Sequence, residues 1–556
     1  MYDVQPQETL DASNMYRDVY DANAAVLGVY GKLMNIAKQY VVLNELRADL
    51  MTVTTNADDN LKQLNEHNVA IGNTYADPRP FYSIINNCND ILKNFNIMRA
   101  AKKFTEQEYQ QRYSDVGALR CWLYLQLGIH FGTVPYVTDP LTTIDDVKDP
   151  SKYPKLPFNT LLDSLISFGN TLQFTDPYPI TSTLVVNYGL QQSYFISKYQ
   201  ILGDLNLWKG NYTTAATLYR QIMEGSGYTF TGSTFINFDA FKVKYADVTG
   251  FLDFAIEYYR NQEQNLYSLI DNNSQGWRSM FSRTQDALFN CEWLWCMPFS
   301  SGNTPSNPFI DLFSNAGGSY LLKPSQLAMN NWNTQTSQFG YPYDARGQMT
   351  WRTLSGQPVI VKYLYNYLDG TTFVPTNPLL KEGKWFLMRA ATTHLHFAEA
   401  ANRDGKRKTA YALINNGINN TYDSAGVAPV DVTNWQNTLS DPAPYNFDAR
   451  NGTYPYYRGT WYRNGGVRGR ARLTNNTVTG DSTISIENSV INEDALELAY
   501  EGQRWPDLMR VAMRRNDPAF LADKVYNKLL LENNPQAAAV RAKLMNPANW
   551  YLPFNW

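Results

Sequence analysis

Three glutamates spaced four residues apart, Glu493, Glu497 and Glu501, are the first candidates for chemistry. Side chains one helical turn apart share a face, and two carboxylates placed together can act as acid and base. The same spacing suits ion pairing, with Arg504 three residues further on as a partner, and structural pairing is the preferred reading. His394 and His396 are two residues apart, hence on nearly opposite sides of a helix, and do not form the i, i+4 pair that holds a metal. Cys88, Cys121, Cys291 and Cys296 are too few for a disulfide framework in 556 residues and form no CxxC or Cys/His cluster. Neither GxSxG, HExxH nor a P-loop occurs. A glycoside hydrolase needs only two carboxylates, which can lie far apart in sequence, so motifs alone do not dispose of one. No residue is nominated as catalytic, and no metal or cofactor site is read.

Recognition without catalysis has more support. Tyr (39), Phe (26) and Trp (13) make up 14% of the chain, while charged residues make up only 18%. Flat rings with polar tips suit surfaces that meet sugars or peptides. They cluster in irregular stretches. Asn331-Trp332-Asn333 leads to Phe339-Gly340-Tyr341-Pro342-Tyr343, Trp277 sits in SQGWRS, and Tyr454 to Tyr457 with Trp461 precede Gly465-Gly466. Trp332, Tyr341, Tyr343, Trp277, Tyr456 and Trp461 are therefore candidate ligand contacts, each competing with plain packing. Trp293 and Trp295 alternate about Leu294 as in a strand with one buried face. Five arginines lie between Arg458 and Arg472, where loop salt bridges are the preferred reading. The net charge of −3, with acids and bases interspersed, lacks the basic footprint of a nucleic-acid binder. The longest apolar runs, such as Cys121 to Leu125, fall far short of the ~20 residues of a membrane-spanning helix.

These residues need a scaffold, and the sequence marks one. Tyr199-x-x-Leu202-Gly203, then Gly210-x-Tyr212-x-x-Ala215-x-x-x-Tyr219, follows tetratricopeptide spacing, although Asn206 stands where an aromatic is expected. A second copy reads His394-x-x-Phe397-Ala398, Gly405, Ala410-x-x-x-Ile414. A helix is expected over 105–131, with a Thr105/Glu108 capping box at its start and Gly132 and Pro135 beyond its end. Another is expected to begin near Asn492 as N-cap and to end or kink before Pro506. The fold class is mainly α: a tetratricopeptide-like helical-repeat scaffold with a long irregular, loop-rich ligand-binding portion and a few short strands, one near Pro358–Val361. The scaffold is placed at about 10–135, 184–224, 384–422 and 492–535, and the irregular portion at about 225–380 and 425–490, all within a single unit, 1–556.

Four segments, in order, resemble the SusD/RagB family of Bacteroidetes outer-membrane lipoproteins. They are ALRCWLYLQLGIHFGTVPYV (Ala118 to Val137), Asp344-x-Arg346 with Lys362-Tyr363, HLHFAEAANRDG (His394 to Gly405) and NEDALELAYEGQRWPDLMR (Asn492 to Arg510). Pro506 departs from the family's more usual aromatic. The resemblance implies cell-surface binding of an oligosaccharide and its delivery to a SusC-like TonB-dependent transporter, with no catalysis and no cofactor. It also implies polar ligand contacts from the region of Asp49, Asn65 and Arg79. Outer-membrane attachment would come through an N-terminal lipidated cysteine and signal peptide absent from this chain, whose opening DVQPQ resembles the stretch after such a cysteine. The alternatives are a peptide ligand in the same kind of complex, a glycoside hydrolase, and an assembly scaffold with an open concave repeat surface.

Overall fold

A computed structural model describes residues 15–148, 152–174, 194–224, 229–230, 233–234, 277–282, 293–302, 304–338, 340, 342–422, 441–446 and 466–556. The chain divides into two units: Met1–Ile36 with Pro78–Pro179 and Trp556, and Ala37–Asp77 with Ile180–Asn555. Among the described residues it is mainly helical, and its short strands pair two by two.

The first unit packs α1 (Val19–Leu33), α2 (Arg79–Ala100), α3 (Glu106–Phe131) and α4 (Phe158–Gly169). The expected capping box forms: the Thr105 side chain accepts from Glu108 N–H while Glu108 reaches back to Thr105 N–H. Every residue of α3 from Ser114 to Phe131 is buried, so its polar members need partners. Asp115 accepts from the Tyr30 hydroxyl at 2.8 Å, and Arg120 donates to Asn89 at 2.8 Å. Gly128 lets α4 close in, since a Cβ there would meet the Phe158 ring at 2.4 Å. Gly132 then ends the helix at φ 73°, a backbone angle that favours glycine.

The second unit opens its repeat scaffold with α5 (Lys198–Lys209) and α6 (Tyr212–Glu224), joined at left-handed Gly210 (φ 87°). The small residue expected at 203 has a definite task. A Cβ on Gly203 would sit 2.4 Å from the buried Tyr219 ring, whose hydroxyl donates to Asp204 at 2.7 Å. Gly203→Ala should therefore destabilise the unit by about 1–3 kcal/mol, read as a lower denaturation midpoint; an unchanged midpoint would show that Tyr219 can move aside.

Strand β1 (Trp293–Phe299) follows, then α7 (Gln326–Asn333) and α8 (Ala345–Thr350). Next come the hairpin β2 (Trp351–Leu354) and β3 (Gln357–Ile360), and β4 (Gly383–Arg389), which pairs antiparallel with β1. The second repeat is α9 (Ala390–Arg403) and α10 (Arg407–Ile414), turned at Gly405 (φ 79°). Small residues again let helices approach: Ala215 and Tyr219 of α6, Ala391, Leu395 and Ala398 of α9, and Ala410 and Leu413 of α10 share one buried cluster.

The C-terminal helices correct the sequence reading. The chain forms α11 (Ser482–Glu497), α12 (Arg504–Arg515) and α13 (Pro518–Leu531). Asn492 is not an N-cap but lies inside α11, whose cap is Asp481, accepting from Ile484 N–H at 2.9 Å. Pro506 neither ends nor kinks a helix. It stands in the first turn of α12, where a missing N–H costs no helical bond.

Candidate functional site

The three glutamates, for which structural pairing was the preferred reading, lie in a buried ionic centre of the second unit. Asp344 caps α8 by accepting from Arg346 N–H at 2.9 Å, and also pairs with the Arg346 guanidinium at 2.7 Å. Arg346 reaches Glu493 at 2.7 Å and Glu497 at 2.6 Å. Arg389, at the end of β4, reaches Glu497 at 2.7 Å and Glu501 at 2.8 Å. Arg470 adds a third guanidinium on Glu497 at 3.1 Å, and Arg468 meets Glu493 at 3.2 Å. Lys362 contacts Glu501 at 2.8 Å and donates to Ala499 O at 2.9 Å, while the Tyr363 hydroxyl donates to Tyr500 O at 2.8 Å. All of these side chains are buried.

Burial alone would raise the Glu501 carboxyl, but Arg389 and Lys362 outweigh it and hold the group below its ordinary value. Burial likewise disfavours the Arg346 cation, and Asp344, Glu493 and Glu497 reverse that. These glutamates are acceptors already committed to fixed cations, not a carboxylate pair open to a substrate. The centre ties the Asp-x-Arg and Lys-Tyr elements to the C-terminal segment, which explains why those pieces occur together. Arg468 and Arg470 form the salt bridges expected of the arginine-rich loop, whereas Arg458 and Arg463 lie outside the described residues.

The turn after α11 depends on a residue that sequence reasoning missed. Tyr500 (φ 72°) and Gly502 (φ 84°) are left-handed, and the Glu45 carboxylate accepts from the N–H groups of Tyr500, Gly502 and Gln503 at 3.2, 2.7 and 3.0 Å. Glu45 lies on a π-helical turn, Val42–Leu46, a widening often found where a side chain must be re-aimed. Burial pushes its carboxyl up to about 8 in spite of those backbone bonds. A single acid inside the apolar run Val41 to Leu46 was the available signal.

The other nominated residues divide three ways. Asp49 is buried and paired with Arg504 at 2.6 Å, so Arg504 belongs to Asp49 rather than to Glu501. Asn65 is buried too, its Oδ1 accepting from Lys528 at 2.9 Å. Trp332 is 1% exposed, with its indole N–H donating to Leu496 O at 3.2 Å. Trp277 is 0% exposed, its ring beneath Lys362 and Arg389. These four nominated side chains are packed inside the second unit, with little surface exposed. Tyr343 is half-buried, and Arg79 is exposed at the start of α2 in the first unit. Tyr341, Tyr456 and Trp461 lie outside the described residues.

One planar pair was not foreseen. Phe373 is half-buried at φ 55°, an unusual angle for a bulky side chain, with the half-buried Arg352 guanidinium 4.4 Å from its ring. Nothing in the surrounding TTFVP marks it.

The SusD family model matches residues 464–553, which hold Glu493, Glu497, Glu501 and Arg504. No curated protein matches the sequence. Among solved structures, a SusD superfamily protein from Bacteroides vulgatus is 14% identical, with 96% of this chain and 98% of that one covered at a TM-score of 0.58. A laminarin-binding SusD-like protein is 15% identical, covering 97% and 96% at 0.57. Surface glycan-binding protein A from Bacteroides uniformis is 15% identical, covering 96% of each chain at 0.57. Among the described residues, no helix is long and apolar enough to cross a membrane.

Proposed function

We propose, for a chain that is SusD-like in its C-terminal family match and in its fold, cell-surface capture of an oligosaccharide and its delivery to a SusC-like TonB-dependent transporter, without catalysis. The carrying observation is the likeness over nearly the whole length to SusD-like structures, two of them named for laminarin or glycan binding. The commitment of Glu493, Glu497 and Glu501 to buried cations supports the non-catalytic reading, because it removes the carboxylates that the sequence offered for acid/base work. Attachment to the outer membrane through an N-terminal lipid belongs to the same reading. So does contact with the sugar through Tyr343, Tyr341, Tyr456, Trp461 and Arg79, to which Phe373 is added.

The test is calorimetric titration of the purified protein with a panel of soluble glycans, laminarin included, and of oligopeptides. At least one glycan should bind, and Tyr456→Ala or Trp461→Ala should weaken it about tenfold, the loss of one stacking ring. Binding of peptides alone would move the assignment to a peptide receptor. Shortened glycans after incubation would make the protein an enzyme. Co-purification with a SusC-like transporter tests delivery.

A further inference from the structure

His394 and His396 are both buried on α9, two residues apart, and meet opposite surroundings. His394 sets its Nδ1 2.7 Å from Ala390 O, a neutral acceptor on its own helix, and burial pushes the ring down to about 3. His396 stands between two carboxylates. Its Nδ1 is 2.8 Å from Asp204 Oδ1 of α5, and its Nε2 is 3.7 Å from Asp507 Oδ1 of α12. The first contact is a hydrogen bond. The second is an ion-pair distance, and Nε2 has no hydrogen-bond partner among the described residues. A carboxylate can only accept, so Nδ1 carries a proton. A neutral ring would then turn the Nε2 lone pair toward Asp507, whereas a second proton turns that repulsion into attraction. Among the described residues, His396 is the sole ion-pair partner of Asp204, which also accepts from Gln200 Nε2 at 2.9 Å and the Tyr219 hydroxyl at 2.7 Å. Arg510 of α12 is shared between Glu399 at 2.6 Å and Asp507 at 2.7 Å, and Arg514 is on Glu399 at 2.7 Å. Asp494 of α11 also attracts the charge of the ring, and the buried Tyr40 phenol lies in the field of Asp204 and Asp507. Asp204, Glu399, Asp494 and Asp507 thus outnumber Arg510 and Arg514 around the imidazole.

We infer that His396 is a charged imidazolium that clamps α5 of the first repeat to α12 of the C-terminal segment, and that alkaline pH releases the clamp by removing its proton. Burial alone disfavours the cation, but Asp204 foremost, and then Asp507, reverse that and raise the ring to about 10. The sign follows by linkage. The unfolded ring titrates near pH ~6.5, so the contribution of the clamp is complete below that pH and is lost as pH rises through the folded value.

The test is the nitrogen magnetic resonance spectrum of protein carrying isotope-labelled histidine, with His396→Gln to assign the ring. The chain has four histidines. At pH ~8 one imidazole should have protons on both nitrogens, and its signals should vanish in the variant. His396→Gln should also melt at least about 2 °C lower than the wild type near pH ~6, with the gap closing toward pH ~10. Should that variant not fold, Asp204→Asn assigns the ring instead, by lowering its titration midpoint by about one unit or more. A wild-type spectrum with no cationic imidazole at pH ~8 overturns the inference whether or not either variant folds. So does a cationic ring that persists in His396→Gln, a midpoint that Asp204→Asn leaves in place, or a Tm gap that does not change with pH.

Discussion

Glu497→Ala abolishes the native fold of the second unit, giving protein that is insoluble or lacks a cooperative thermal transition. Glu497 receives Arg346, Arg389 and Arg470 at 2.6, 2.7 and 3.1 Å, and all four side chains are buried. Removing one partner of a buried ion pair costs about 3–5 kcal/mol, because the charge left behind stays out of water without compensation. Here three guanidinium groups lose the acceptor together. Domain stabilities total about 5–15 kcal/mol, so a loss at the upper end of the single-pair range already removes from about a third to all of what is available. Glu497→Gln keeps one carbonyl acceptor and the side-chain shape but loses the charge. It should fold with a stability lower by about 3 kcal/mol, the scale of a hydrogen bond to a charged group. Denaturant titration of both variants separates the outcomes: if the alanine variant unfolds within about 1 kcal/mol of the wild type, neighbouring acids such as Glu493 and Glu501 carry the arginines unaided.

The ionic centre also marks where the sequence stops speaking. Helix α3 was legible because its signals are local: the Thr105/Glu108 capping box and the Gly132 stop lie within about thirty residues of one another, with Leu119, Leu123 and Leu127 one turn apart between them. The repeat helices were legible for the same reason, with Gly203 and Gly405 where close packing or a left-handed turn needs them. Pairings are not local. Glu501 lies three residues from Arg504, yet the left-handed turn at Tyr500 and Gly502 carries it to Arg389 and Lys362, while Arg504 goes to Asp49. Spacing suggested the first arrangement and tertiary structure imposed the second. The start of α11 was missed because its first two turns, Ser482 to Ser489, are polar except for Ile484 and Ile486, whose spacing of two is not helical, although Gly480-Asp481 had the chemistry of a turn and cap. Ligand residues were the least legible of all. An aromatic flanked by asparagines looks the same in sequence whether its ring meets a sugar or a neighbouring helix.

Trp332 makes that ambiguity measurable. On α7 only Ala328 and Trp332 are buried, four residues apart and hence on one face, while the flanking Asn331 and Asn333 are directed elsewhere. The indole packs against Gly347, where a Cβ would come within 2.6 Å of it, and lies 6.3 Å from the Tyr500 ring. Its N–H is bonded to Leu496 O, one residue before Glu497. Trp332→Ala should therefore cost about 3–5 kcal/mol in stability, through lost burial and the cavity left behind. Removal of the indole also leaves Leu496 O without that donor, adding to the loss rather than offsetting it. The dissociation constant of the folded fraction for any glycan identified by titration should stay within about twofold of the wild type, a difference of less than 0.5 kcal/mol. Paired thermal melts and calorimetry decide the matter. A lower Tm with unchanged affinity makes Trp332 a packing residue of the ionic centre, whereas weakened binding at an unchanged Tm would return its ring to the ligand surface.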